Sequence, residues 1–274
     1  LQWSCDSHKN IFSFTTPTIV QSCVVAVKIP HRSSHMFRHA IRNAMSSRRA
    51  FSTVVLRQPK ILAFSGSARK DSFNQKLAIY AAELAKAEGN AQVMVLEPKD
   101  YPLPLYCQDL EAEGFPENVL KVKQMLMESD GFLISSPEYN GSFSPMLKNL
   151  IDRCSRPSEA DEPMAIAFKG KVAGIFGTSP GGLGGLRGLS HLRELLVNLG
   201  VNVVPDQAAV GGAFKAFGED GRLTNEMHNN MLKACVHEVV ETSLMWANQE
   251  AHCSMVKMMK EGQKAGEYGE VIFP

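Results

Sequence analysis

Residues 60–77, Lys-Ile-Leu-Ala-Phe-Ser-Gly-Ser-Ala-Arg-Lys-Asp-Ser-Phe-Asn-Gln-Lys-Leu, constrain the fold of this chain more than any other stretch. Residues 61–64 are a short apolar run of the kind that forms a buried strand. Residues 65–71 are a turn of small residues carrying Arg69 and Lys70. From Ser72 a helix starts, and Leu77, Ala78, Ala81, Ala82, Leu84 and Ala85 supply its apolar face. A strand, a polar glycine turn and a helix start bring backbone N–H groups and the positive end of a helix to one point. Arg69 adds a planar fork that is always charged. That combination suits a phosphate. Taken alone it suits an ordinary capped turn equally well, since glycine and serine are common there.

The rest of the chain repeats the unit. A glycine stop at Gly89 ends the helix, and residues 91–96 read as a second strand. Residues 101–106, Tyr-Pro-Leu-Pro-Leu-Tyr, cannot be regular structure and read as a loop over one end of the sheet. Pro116 opens a helix with Val119, Val122, Met125 and Leu126 facing inward. Residues 130–136 are a third strand and 146–154 a helix; 157–169 are a polar excursion. Residues 171–176 are a fourth strand, 189–199 a leucine-striped helix, 201–204 a fifth strand and 223–248 a long final helix. Strands alternating with helices imply right-handed βαβ units and a parallel sheet covered on both faces. Five strands suit a three-layer α/β sandwich with strand order 2-1-3-4-5, with ligands beyond the strand C-termini. Small, polar turns follow the first, third and fourth strands, which are neighbours in that order. Their coincidence at one edge favours a shared ligand.

Composition locates where this fold begins. The charge of +1 is unevenly spread. Residues 1–59 hold eight Lys+Arg and one acid, Asp6, whereas the remainder holds 21 Lys+Arg against 27 acids. The folded body is therefore mildly acidic, which argues against a nucleic-acid partner. Residues 36–59 contain arginines, serines and alanines and no acid, the composition of an amphipathic organelle-targeting presequence. Arg49-Ala-Phe-Ser52 resembles a mitochondrial processing site between Phe51 and Ser52. The expected division is a targeting or disordered arm over 1–59 (Met36 being a candidate native start), a domain over 60–250 and a tail over 251–274. The expected address is mitochondrial, with plastid or cytoplasmic location as alternatives. Six cysteines form no CxxC pair and no zinc spacing, so unpaired thiols are expected, with Cys107 and Cys154 read as buried. No apolar run reaches the ~18–20 residues of a membrane span.

Three segments resemble the NADPH-dependent FMN reductase family, whose fold is flavodoxin-like. They are residues 66–74 (Gly-Ser-Ala-Arg-Lys-Asp-Ser-Phe-Asn), residues 136–142 (Ser-Pro-Glu-Tyr-Asn-Gly-Ser) with 147–152, and residues 177–187 with His191-Leu-Arg193. The resemblance runs from about Lys60 to about Asn248 and implies FMN as cofactor. By resemblance, Ser65, Gly66, Ser67, Arg69, Ser72, Phe73 and Asn74 hold the phosphate end. Pro137, Glu138, Tyr139, Asn140 and Gly141 border the isoalloxazine edge, with Glu138 serving loop structure or oligomer contacts. Thr178, Ser179, Gly181 and Gly182 face the N1–C2 end of the ring. No catalytic side chain and no metal is implied, because the flavin carries the chemistry.

The same resemblance implies hydride transfer from NADPH or NADH through FMN N5 to a quinone-like or other small acceptor. It also implies a homodimer or homotetramer. Two alternatives stay open: a non-enzymatic FMN-binding electron carrier or redox-sensing protein, and a nucleotide-binding protein without flavin. Gly182-x-Gly184-x-x-x-Gly188 also looks like a variant dinucleotide fingerprint, but the third glycine of the usual pattern falls on Arg187 and the turn follows the fourth strand. Arg187 and Arg193 are read as oligomer or helix-surface residues, Arg187 also as a candidate for the NADPH phosphate. The chain departs from the family at Arg153, where tryptophan is usual, and at Ser144-Pro145, where the family has proline-glycine.

Overall fold

The computed structural model describes residues 57–249 as one α/β body. It also describes, in a separate unit, an antiparallel hairpin of β1 (Gln2–Asp6) and β2 (Ile11–Thr15). The rest of the expected targeting arm up to residue 56, and the tail from residue 250, lie outside the described residues. In the body, β3 (Lys60–Ser65), β4 (Gln92–Leu96), β5 (Gly131–Ser135), β8 (Val172–Thr178) and β9 (Asn202–Val210) form one parallel sheet. Their order is β4-β3-β5-β8-β9, which is 2-1-3-4-5 when this sheet's strands are counted alone.

Side-chain alternation splits the core into two layers. Ile61 and Ala63 point to one face, where α1 (Phe73–Ala87) and α6 (Glu226–Ala247) pack through Leu77, Ala81, Val236 and Val239. Leu62 and Phe64 point to the other, against α3 (Glu117–Glu128), α4 (Pro145–Cys154) and α5 (Leu186–Asn198). Each fully buried Leu, Ile or Phe stabilises the fold by about 1.5–3 kcal/mol, so both faces are firmly held.

The body starts slightly before Lys60. Arg57 makes a two-pronged bond to Asp130 at 2.8 Å on each arm. Its backbone N–H donates to Asn248 Oδ1 at 2.7 Å, and Asn248 Nδ2 donates back to Arg57 O at 2.9 Å. The two ends of the described body are thus clasped to one another.

Four features differ from the sequence reading. Strand β9 runs on to Val210, past Pro205 and Asp206, because its register against β8 shifts between Ala173 and Ile175. Arg193, expected on a helix surface or at an oligomer contact, instead serves that irregularity. Its Nη1 donates to Val203 O and Val204 O, and its Nη2 to Pro205 O and Gln207 Oε1. Helix α5 begins at Leu186, inside the glycine-rich run. Cys107 is exposed rather than buried, because it precedes the short surface helix α2 (Gln108–Ala112). Cys154 and Cys235 are buried, and burial pushes each thiol up to about 12. Among the described residues no helix is long and apolar enough to cross a membrane.

Candidate functional site at the C-terminal edge of the sheet

The loops after β3, β5, β8 and β9 meet at the carboxyl edge of the sheet, and hydrogen bonds join them. Ser72 caps α1, its hydroxyl accepting from Gln75 N. Ser67 Oγ accepts from Arg69 N at 3.3 Å. A hydroxyl that accepts still carries its own proton to donate, so both side chains keep a donor. The amides of Phe73 and Asn74 lie in the first turn of α1, where no intrahelical acceptor exists. Arg69 turns its fork onto its own loop, donating to Lys70 O and Asp71 O, and sits 5.7 Å from the centre of the Phe73 ring. Ser65 is occupied within the protein: its hydroxyl donates to Gln75 Oε1 at 2.7 Å, with Ser67 O a second acceptor at 3.2 Å. It shapes the loop.

Asn74 braces one helix to two strands. Its Nδ2 donates to Thr178 O at 2.9 Å, while its Oδ1 accepts from Thr178 N and from Ser135 Oγ, both at 3.0 Å. One side chain thereby ties α1 to the ends of β5 and β8. Gly66 N donates to Ser135 O, and Ser144 Oγ donates to Gly66 O at 2.6 Å while capping α4 through Leu147 N. The serine at position 144 therefore fastens the first loop to the second.

The second loop is a hairpin that the sequence reading did not recognise. Strands β6 (Glu138–Tyr139) and β7 (Ser142–Phe143) flank Asn140-Gly141, whose φ angles of 52° and 77° make a two-residue turn of the primed type. Asn-Gly is the strongest short signal for such a turn, so the cue was present in the sequence. Pro137 is buried at its base, and Tyr139 stands 51% exposed. Glu138 reaches α5: its Oε1 accepts from Arg187 Nε at 2.9 Å and its Oε2 from Gly188 N at 3.1 Å. Burial pushes the Glu138 carboxyl up, but the Gly188 amide and the Arg187 guanidinium outweigh it and hold it below the ordinary carboxylate value. Arg187 pairs with Glu138 while its side chain stays 66% exposed.

The third loop leaves β8 at Thr178, whose hydroxyl donates to Val210 O at 2.8 Å. Gly181 and Gly182 are exposed, and Ser179 Oγ donates to Gly181 O. Gly184, at φ 61°, lies so close to β9 that a Cβ there would stand 2.5 Å from Ala209 C and Val210 N. The loop after β9 was absent from the sequence reading, since strand β9 was ended too early. It is stitched to the third loop by Ala213 N donating to Ser179 O at 3.0 Å.

A fifth loop, 101–107, is held over the same edge. Buried Arg153 donates from Nε to Pro104 O and from Nη2 to Leu105 O at 2.6 Å. Asn149 Oδ1 accepts from Tyr106 N at 2.7 Å. Arg153 therefore does the work of positioning this loop from beneath.

Residues 59–215 match the family described as NADPH-dependent FMN reductase. The chain belongs to this family. An NAD(P)H-dependent FMN reductase of Pseudomonas aeruginosa is 36% identical over 177 residues, which span 64% of this chain and 89% of that protein. An NADPH:quinone oxidoreductase of Arabidopsis thaliana is 36% identical over 181 residues, 64% of this chain and 86% of the relative. Among solved structures, the flavoenzyme NAD(P)H:(acceptor) oxidoreductase FerB of Paracoccus denitrificans superposes with a TM-score of 0.57 at 33% identity, covering 70% of this chain and 98% of FerB. FMN ends in a phosphate near two negative charges, a group that calls for donors. The first loop's chemistry fits: two hydroxyls, helix-start amides and a guanidinium, all donors. The buried Gln75 Nε2 beside Ser65 is a further donor that finds no partner among the described residues.

Proposed function

We propose that this protein is an FMN-dependent NAD(P)H oxidoreductase that reduces quinone-like acceptors. The observation that carries the proposal is the convergence, at one sheet edge, of a donor-rich phosphate loop with two further loops offering backbone amides. FMN, when bound, supplies the two-electron hydride chemistry between NAD(P)H and the acceptor. Ser67, Arg69, Ser72 and the amides of Phe73 and Asn74 hold the phosphate. Gly66 and Ser65 shape that loop, and Asn74 sets its distance from Thr178. The hairpin of Pro137, Glu138, Tyr139, Asn140 and Gly141 lies along the ring edge, its backbone amides available to ring acceptors and Tyr139 available as a flank. Gly181 and Gly182 present the third loop's amides to the end of the ring that gains negative charge, while Thr178 and Ser179 fix that loop, their own amides donating to Asn74 Oδ1 and Val210 O. No side chain is assigned an acid–base step, because Glu138 is committed to Arg187 and Gly188.

The finer assignments follow the same reading. A homodimer is supported by apolar side chains left exposed beside the site, Tyr139, Leu183 and Leu186 among them. A mitochondrial address is supported by the acid-free arginine, serine and alanine composition of residues 36–59. A reporter fused after that segment should enter mitochondria; retention in the cytosol sinks the address. Catalysis is tested by following NADPH oxidation with benzoquinone as acceptor. The expected result is turnover that is lost when FMN is stripped and restored when FMN is added back. Equal turnover in the stripped protein contradicts the proposal.

A further inference from the structure

An aromatic and cationic platform stands beside the first loop, and holding FMN leaves most of it unused. The Phe73 ring stacks on Phe217, with centroids 6.2 Å apart and planes 5° from parallel, and meets Phe214 edge-on at 5.5 Å and 89°. Lys76 Nζ lies 5.9 Å from the Phe73 centroid, on the side chain's exposed stretch of α1. Arg69 approaches the same ring at 5.7 Å. Phe214 is 77% exposed, more than any other aromatic side chain among the described residues.

This ring is not carried on a loose loop. Ala213 N donates to Ser179 O, Lys215 N to Gly212 O at 2.9 Å and Thr224 N to Ala216 O at 3.0 Å. The loop is therefore tied to the third flavin-facing loop on one side and to itself on the other. A bare phenylalanine face fixed in water contributes nothing to the core. Cations border it: Arg69 and Lys76 approach the Phe73 ring. The acids next to these segments in sequence are Asp71, Glu219 and Asp220, of which Asp220 faces Arg222 at 3.8 Å.

A flat apolar face rimmed by cations fits a purine carrying phosphates. Stacking of a base on an aromatic side chain contributes about 1–3 kcal/mol and tolerates any base, and lysine or arginine beside it favours the phosphates. We infer that Phe214, with Phe73, Phe217 and Lys76, forms the subsite for the adenosine-phosphate half of the nicotinamide dinucleotide. The inference rests on the reading of the protein as an NAD(P)H oxidoreductase. It divides the donor between two places: the nicotinamide at the flavin ring, and the purine and its phosphates against the platform.

The test is the reductive half-reaction of the FMN-loaded full chain, mixed anaerobically with NADPH or with reduced nicotinamide mononucleotide, which lacks the adenosine half. Phe214→Ala should raise the dissociation constant for NADPH about tenfold, and Lys76→Ala about threefold. The limiting rate of flavin reduction and the retention of FMN should stay as in the parent protein. Neither variant should change the binding of the mononucleotide. An unchanged constant for NADPH in both variants overturns the inference. Equal weakening of both donors, together with a change in oligomeric state, also overturns it and assigns Phe214 to a contact between copies. A parent flavin that neither donor reduces overturns the functional reading and the subsite with it.

Discussion

Replacing Asn74 removes more than one hydrogen bond. Its carboxamide holds both the N–H and the C=O of Thr178 and accepts from Ser135, all in buried surroundings. Asn74→Ala should cost about 3 kcal/mol of unfolding free energy, since several buried groups lose their partner at once. Urea unfolding checks this; a loss below about 0.5 kcal/mol would show that the brace is dispensable. Arg69 acts differently, because it is exposed and bonded only to its own loop. Arg69→Ala should leave stability nearly unchanged and weaken FMN retention at least tenfold, the scale of one charge-assisted hydrogen bond. Unchanged FMN affinity would show that the phosphate lies elsewhere. Ser67, Arg69 and Ser72 were legible as candidates because hydroxyl and guanidinium groups at a strand–turn–helix junction suit a phosphate as well as a capped turn. The bracing role of Asn74 was not, because its partners lie 61 and 104 residues away.

Among the elements, the short hairpin and the excursion after α4 depend on particular side chains. Gly141 takes φ 77° in a turn that needs positive φ at both positions. Gly141→Val should destabilise the hairpin and weaken FMN binding more than overall stability, measured by flavin retention against thermal midpoint; equal losses would contradict a local effect. The excursion 157–169 is anchored by Lys123, a buried lysine on α3 that donates to Arg156 O, Ser158 Oγ and Glu162. Burial pushes Glu162 up, but bonds from Lys123 and Ser158 outweigh it and bring its carboxyl down to about 2 from the ordinary 4.5. A depressed carboxyl stabilises the fold above its ordinary value, and that contribution fades as pH falls from 4.5 toward about 2. Glu162→Gln should therefore be less stable than the parent near neutral pH, and the gap should close toward about pH 2. A gap independent of pH would contradict the pairing. The sequence could not reveal Lys123 as buried, since its partners come from an excursion without periodicity. Strand β9 was shortened in the sequence reading because Pro205 and Asp206 break the apolar pattern; Arg193, and Glu238 accepting from Asp206 N, take up the backbone groups there.

For the whole molecule, strand order and layering were readable because five apolar runs alternate with amphipathic helices and leave few parallel topologies. The boundary was less readable: Arg57 precedes the first apolar run, and its value lies in Asp130 and Asn248 far along the chain. A chain starting at Lys60 should unfold a few degrees lower than one starting at Arg57, in keeping with the loss of about 1 kcal/mol; equal midpoints would show that the clasp is incidental. The same topology gathers the loops after β3, β5, β8 and β9 at one edge, and the central claim is that this edge passes hydride between a nicotinamide nucleotide and an acceptor through FMN. Anaerobic titration of the FMN-loaded protein tests it most directly. NADPH should bleach the flavin absorbance in a two-electron step, and benzoquinone added afterwards should restore it without a persistent one-electron species. A flavin that neither NADPH nor NADH bleaches would contradict the account.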